Sequence, residues 1–285
     1  MEKTLNLIRR AKPLLGTFVE IGLGTEGNSG ENLADYEALF VKAFSAIAHI
    51  HYLMGIHSAS SDASAINRAP TSLWVTCAPE TITVLSFAQE LSERSDGMFD
   101  VCAQHTSGKM HDLEVDTINF RVKKHRPLAV NLGGIAKGFA VDFAVAAMQC
   151  GRSNISAERD SFRLSGYVNA GGDCRAFGNA QMPLLARSPW ALDQPQRLTN
   201  LNYLSNASAA SSANYPTVRS SIRNGTTKSR AITQALATVV APHCMTADAL
   251  TKIVLASNDA EHPLLNAYGA NAWLMRAPIE ARAHA

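Results

Sequence analysis

The sequence predicts an α+β fold of several layers, and three observations carry that reading. Segments with apolar residues on alternate positions are interleaved with segments whose apolar residues step by three and four, so strands and helices are mixed along the chain. No internal repeat and no linker of domain-boundary character divides the 285 residues, which points to a single domain over 1–285. Composition agrees, because 46% hydrophobic and 18% charged residues suit a globular protein with a substantial core.

Taken in order, Leu14–Leu23 places Thr17, Val19, Ile21 and Leu23 on alternate positions, as a strand with one buried face requires. Residues 24–30 break it. Leu33, Tyr36, Phe40, Phe44, Ile47 and Ile50 then trace a long amphipathic helix that reaches Met54 and stops at Gly55. The following HSASSDASAINRAP has no periodicity and reads as a loop rich in side-chain donors. Pro79 at a first helical position, with Ile82, Leu85, Ala88 and Leu91 behind it, marks a second helix ending near Asp96 and Gly97. Residues 104–128 are polar without a clear period and read as loop or short edge strands.

Later in the chain, Tyr167–Ala170 and Cys174–Phe177 flank Gly171, Gly172 and Asp173, the pattern of two strands joined by a tight turn. Asp173 reads first as a turn former, with a ligand-facing role as the alternative. Met182–Ser188 reads as another strand, whereas Leu204–Arg230 is so poor in large apolar residues that it predicts a mobile loop. Leu236–Ala241 is β-branched and stopped by Pro242. Thr246 is the expected cap of a helix through Ala256, with Leu250, Ile253, Val254 and Leu255 on its apolar side, and Ala270–Arg276 closes the pattern as a strand.

The stretch VNLGGIAKGFAVDFAV, Val130–Val145, joins a strand end to a helix through Gly133 and Gly134. Ile135, Phe139 and Phe143 mark its expected core face, and the helix should end near Gly151. Lys137 falls in the first turn, where free N–H groups and the helix dipole are already positive, so it costs stability unless an anion is bound. That predicts an anion site, with a glycine-capped core helix and an exposed lysine as the alternative. Neither the GxGxxG nor the GxxxxGK[ST] pattern is met. Asp248 is expected in the first turn of its own helix, where it suits a hard cation such as Mg²⁺; Lys252 four residues on leaves a plain helix ion pair as the alternative.

Charge and cysteine usage exclude other classes. A net charge of +2 and a pI near 8.3, with 26 Lys and Arg scattered over the chain, provide no basic stripe for nucleic acid. No apolar run approaches the roughly 18 residues of a membrane helix, and Met1–Pro13 has no apolar core of a signal peptide, so the chain as given reads as cytoplasmic. Cys77, Cys102, Cys150, Cys174 and Cys244 are odd in number and form no CxxC, against both a disulfide framework and a thiolate zinc site, and read as buried free thiols. His49 and His51 point to different faces of one helix and read as structural. A His243–Cys244 nucleophile pair is disfavoured because adjacent residues seldom meet in a working geometry.

Four segments together, LLGTFVEI, SDASAINR, VNLGGIAKGFAVD with GYVNAGGDCRAFG, and ATVVAPHCMTADAL, resemble the ApbE-type FAD:protein FMN transferases over roughly Leu14 to Ala256. The resemblance implies a single FAD-binding domain of ApbE, T-fold-like type. It also implies cleavage of the FAD pyrophosphate with Mg²⁺ and attachment of FMN to a threonine or serine of a target protein. Leu15, His57, the Met98-Phe99-Asp100 turn, Asn131 and Lys137 would surround the FAD. Asp248 and the Gly134 carbonyl would hold the metal. Members of the family are often exported.

This chain departs from the family pattern at several positions. Asn131 stands where the family usually has Asp, His57 where it has tyrosine, and Lys252 where it has a threonine metal ligand. SIRNGTT, Ser221–Thr227, replaces a run containing histidine and aspartate. A degenerate FAD-binding protein, or an FAD pyrophosphatase that does not label protein, is therefore the alternative function.

Overall fold

Where Leu14–Leu23 reads as one strand, the chain turns back on itself at Leu15 and Gly16, and two strands result: β1 (Ile8–Leu14) and β2 (Thr17–Thr25). Both turn residues have positive φ, 56° and 71°, as the central pair of a two-residue hairpin requires. Glycine enters that region freely, but leucine does so only under strain. The computed structural model describes residues 6–25, 33–102, 108–150, 164–187, 195–197, 203–214, 226 and 235–276.

The long helix α1 (Leu33–Met54) forms as its periodicity predicts, with Phe40, Phe44, Ile47 and Ile50 buried, although Leu33 is exposed. The next segment is not the expected loop, because Ser61 accepts from the Ser64 N–H at 3.1 Å and starts α2 (Asp62–Arg68). Strand β3 (Trp74–Thr76) precedes α3 (Pro79–Arg94), which buries Ile82, Leu85, Ala88 and Leu91 and has Pro79 in its first turn. After a 3₁₀ turn at Met110–Asp112, β4 (Leu113–Asp116) and β5 (Arg121–Lys124) pair with β3 in the order β3-β5-β4, so this stretch contains short strands.

Helix α4 (Ala136–Gln149) follows the double glycine, but its buried face differs from expectation. Ile135 is fully buried just before it, whereas Phe139 and Phe143 are only partly buried, and the core face is Gly138, Ala140, Val141, Ala144, Val145 and Met148. Small residues dominate because α4 lies between α1 on one side and the sheet and a later helix on the other. The helix is capped at Cys150 and residue 151 lies outside the described range. His49 is exposed, stacks on Phe143 and pairs with Glu80, consistent with a structural part.

Strands β6 (Leu164–Ala170) and β7 (Asp173–Phe177) form the expected hairpin around Gly171 and Gly172. Met182–Ser188 resolves into two short strands rather than one, β8 (Gln181–Pro183) and β9 (Leu185–Arg187), followed by β10 (Pro195–Arg197). The predicted mobile loop is corrected in its first part, which holds β11 (Tyr203–Ser205) and β12 (Ser208–Asn214). Strand β12 is Ser and Ala at every position but Asn214, because a helix packs directly over it and large side chains would hold that helix away. Residues 215–225 and 227–230 of that predicted loop lie outside the described range.

Strand β13 (Ala235–Ala241), α5 (Cys244–Ser257), α6 (Pro263–Ala267) and β14 (Asn271–Arg276) complete the order. The main sheet has seven strands, β1-β2-β6-β7-β12-β13-β14, with every neighbouring pair antiparallel. Helices α4 and α5 pack on it and α1 packs on α4, while Tyr167, Leu184, Leu204 and Leu236 belong to a smaller apolar cluster. Among the described residues no helix is long and apolar enough to cross a membrane.

Candidate functional site

The helices α4 and α5 cap each other. Asp142 of α4 accepts from the N–H groups of Cys244 and Met245 at 3.0 and 2.9 Å, which satisfies the start of α5 from outside that helix. Thr246 is therefore not the cap; it lies buried inside α5, and Asp248 falls beyond the first turn. In return Asp248 Oδ2 accepts from the Gly138 N–H at 3.1 Å, in the first turn of α4. Close approach makes this possible, since a Cβ on Gly138 would collide with the Cys244 carbonyl and lie 2.8 Å from the Asp248 Cβ. Arg175 of β7 adds a 2.6 Å bond to Asp142 and ties the pair of helices to the sheet.

Four charges meet at this junction. Lys137 pairs with Asp173, the first residue of β7, and Lys252 pairs with Asp248 one helical turn before it. The carboxylates are almost fully buried, at 1% exposure each, while the two lysine side chains are 29% and 18% exposed. The cations thus form the outer layer of the cluster. Lys137 has its anion within the chain, so the cost expected of a cation in the first turn of α4 is met by Asp173. Burial and then the neighbouring Asp248 charge push the Asp173 carboxyl up to about 7, an effect that Lys137 and Lys252 only partly offset. For Asp248 burial acts upward as well, but Lys252 and Lys137 outweigh it and hold the carboxyl below the usual range. Burial opposes the charged form of Lys137, and Asp173 with Asp248 reverse that, so its pKa is raised.

Other expected site residues approach through backbone turns. The Gly171–Gly172 turn abuts Thr17, because a Cβ on Gly171 would collide with the Thr17 hydroxyl, and this sets the strained Leu15 turn beside the GGD turn. The Asn131 N–H donates to the Val101 carbonyl at 2.8 Å, which brings Asn131 to the Met98-Phe99-Asp100 turn, and Asn131 Oδ1 accepts from Gly133 at 2.9 Å. Within that turn Phe99 is buried in the main core, whereas Met98 and Asp100 are partly exposed. Thr226 donates to the Asp96 carbonyl at 2.9 Å and so meets the same turn; the rest of Ser221–Thr227 lies outside the described residues. His57 is exposed in the connection between α1 and α2.

Sequence reasoning missed several supporting residues. Asn67 clamps the strand end before the glycines, donating to the Val130 carbonyl at 3.0 Å and accepting from its N–H at 2.7 Å. Asp62 receives the Ala78 N–H and the Thr81 hydroxyl at 2.8 and 2.7 Å, fixing α2 to α3. The SDASAINR segment is in this way a scaffold for the glycine turn. Four cysteines are buried, as expected, but Cys150 is exposed. Cys244 is fully buried and burial drives its thiol pKa up, while His243 is exposed beside Arg175, so the pair is no nucleophile.

Asp248 and Gly134, the pair the resemblance offers to Mg²⁺, meet an ammonium instead. Lys252 Nζ contacts Asp248 Oδ1 and the Asp248 carbonyl, the latter at 2.9 Å, and a Cβ on Gly134 would lie 3.2 Å from Lys252 Cε. Oδ2 is taken by the Gly138 N–H. A small divalent ion needs near-octahedral oxygen ligands, and these residues as arranged do not provide them. Among the described residues no group of three or more His, Cys, Asp or Glu is placed to hold a metal.

Comparison with known proteins joins these segments into one family. The model of the ApbE family matches residues 15–109 and 103–270. The chain belongs to the ApbE family. The ApbE protein of Thermotoga maritima superposes with a TM-score of 0.75 at 22% identity, covering 97% of this chain and 98% of that one. The flavinyl transferase ApbE of Pseudomonas stutzeri, in its apo form, gives 0.76 at 15% identity over 98% and 93%. The flavin transferase ApbE of Vibrio cholerae gives 0.74 at 18% over 96% and 95%. No curated protein matches the sequence. At these identities the superpositions establish the fold alone, over nearly the whole chain.

Proposed function

We propose that this ApbE-family chain is a flavin transferase that binds FAD and passes its FMN half to a threonine or serine of a partner protein. One observation carries the reading: two partly exposed ammonium groups, Lys137 and Lys252, stand over buried carboxylates beside the double-glycine turn. Such a pair suits the two adjacent phosphates of a dinucleotide better than the single phosphate of FMN. On this reading Leu15, His57, Met98, Asp100 and Asn131 would border the flavin, and the exposure of His57 and the partial exposure of the others leave them open to a ligand.

In the reaction the acceptor hydroxyl oxygen bonds to the phosphorus of the FMN half. The bond from that phosphorus to the bridging oxygen breaks, AMP leaves with that oxygen, and the hydroxyl proton passes to solvent. Lys137 and Lys252 hold the diphosphate and offset the charge that grows on the departing AMP. With water in place of the hydroxyl, the same displacement yields FMN and AMP. The Lys252 contact with Asp248, where the family has threonine, favours a second reading, an FAD-binding protein or pyrophosphatase without protein labelling.

Incubation with FAD and a known flavin-accepting protein tests the proposal, read as flavin fluorescence on the denatured acceptor. Labelled acceptor supports the transferase. AMP release with no label supports the pyrophosphatase, and bound, unchanged FAD supports the binding protein. Calorimetry giving equal affinities for FAD and FMN, or none for either, removes the site.

A further inference from the structure

Lys252 occupies the space between Asp248 and Gly134. Its stem runs beside Gly134, and its ammonium bonds the Asp248 carboxylate and the Asp248 carbonyl. The hydroxyl of Thr251, the residue before Lys252, is fully buried and engaged, donating to the Asp248 carbonyl at 2.6 Å and meeting Ser212 Oγ at 2.8 Å. An ammonium has three N–H donors. Two are directed at Asp248, and the third remains for a ligand on the exposed side of the cluster.

Charge accounting points the same way. Lys137 and Lys252 carry two positive charges against Asp248 and an Asp173 carboxyl raised to about 7, so near neutral pH the cluster needs no added cation. A divalent ion at Asp248 and Gly134 would have to displace a tethered ammonium, and the waters and phosphate oxygens that complete its shell would have to fit where the Lys252 stem lies.

We propose that the Lys252 ammonium is a built-in cation of the binding site, which takes the place of a divalent metal beside Asp248 and Gly134 and makes diphosphate binding independent of metal. The inference rests on the FAD reading above for its ligand, but not for its metal arm. Lys252 is a binding residue here, tied to Asp248 at one end and to a phosphate oxygen at the other.

The test uses the full chain. FAD affinity is measured by calorimetry in excess chelator and again in excess Mg²⁺, and Mn²⁺ binding to the chain alone is followed by the loss of the free-ion paramagnetic resonance signal. Expected for the natural chain are FAD affinities within about twofold of each other and no bound Mn²⁺. Lys252→Thr should bind Mn²⁺, lose about tenfold or more in FAD affinity in chelator, and regain it with Mg²⁺. Tightening of FAD binding by tenfold or more on adding Mg²⁺ to the natural chain, or Mn²⁺ bound by it, overturns the inference. Neither arm depends on whether the variant folds. Absence of FAD binding under both conditions overturns the functional reading instead, and the Mn²⁺ titration still decides the role of Lys252.

Discussion

Replacing Lys137 with methionine keeps the apolar stem and removes the charge, and its effect on stability should depend on pH in a way fixed by Asp173. The carboxyl is 1% exposed, so without Lys137 it is a buried charge with its nearest partner gone. Breaking a buried pair from one side costs about 3–5 kcal/mol, and the 29% exposure of the Lys137 side chain places the expectation near the lower end, about 3 kcal/mol. Removing a cation from the first turn of α4 returns only about 0.5 kcal/mol. The net sign is therefore destabilising, where the sequence alone predicts slight stabilisation.

The pH window follows from the direction of the Asp173 shift. Its folded pKa, about 7, lies above its unfolded value. The folded state holds the proton more tightly, so this group's contribution is full below the unfolded pKa and is lost as pH rises through 7. In Lys137→Met the carboxyl rises further and the loss continues to higher pH. At about pH 5 the acid is protonated in both proteins and the difference between them should be under about 1 kcal/mol; at about pH 8.5 it should approach 3 kcal/mol. Urea unfolding at the two pH values measures it, provided the slopes agree. An equal loss at both values, or a gain in stability, refutes the proposed Lys137–Asp173 coupling.

Other perturbations probe the same junction. Asp142→Ala removes the acceptor of two N–H groups and the partner of Arg175, and should cost about 2–3 kcal/mol by thermal melting; Asp142→Asn should recover part of it. Gly138→Ala, which in an open helix stabilises by up to about 1 kcal/mol, should here destabilise by about 2–3 kcal/mol because the Cβ meets the Cys244 carbonyl, and a melt that rises would refute the close approach. Leu15→Asn should relieve about 1 kcal/mol of strain at φ 56° and weaken FAD binding; stabilisation with unchanged affinity would remove Leu15 from the site.

What the sequence made legible was local. Helices α1 and α3 are long, strongly patterned and punctuated by Gly55 and Pro79, so period and breakers alone find them. Strand β12 and the packing face of α4 were hidden because close helix–sheet contact selects Ala, Ser and Gly there, and small residues carry little hydrophobic signal. The hairpin at Leu15 was hidden because a leucine at positive φ breaks the usual turn code. Glycine and charge placement single out Lys137, Gly134 and Asp248 as candidates in the sequence. Asp142 is not singled out, because its partners Cys244 and Met245 lie 102 and 103 residues away and no local pattern announces them. Asp173 reads from sequence as either a turn former or a ligand-facing residue, because no local pattern announces its pairing with Lys137.

The cost of this arrangement bears on what it is for. Four ions at one junction lose hydration that their mutual attraction returns only in good geometry, and apolar residues of similar size would often hold the same elements together as well or better. Reciprocal capping by Asp142 and the apolar faces of α4 and α5 already join these helices without the lysines. Stability therefore does not account for Lys137 and Lys252. On the proposed function, an outward layer of cations over buried carboxylates, beside a glycine turn, suits a site for adjacent phosphates, because the buried carboxylates would hold the ammonium groups in place before the ligand arrives.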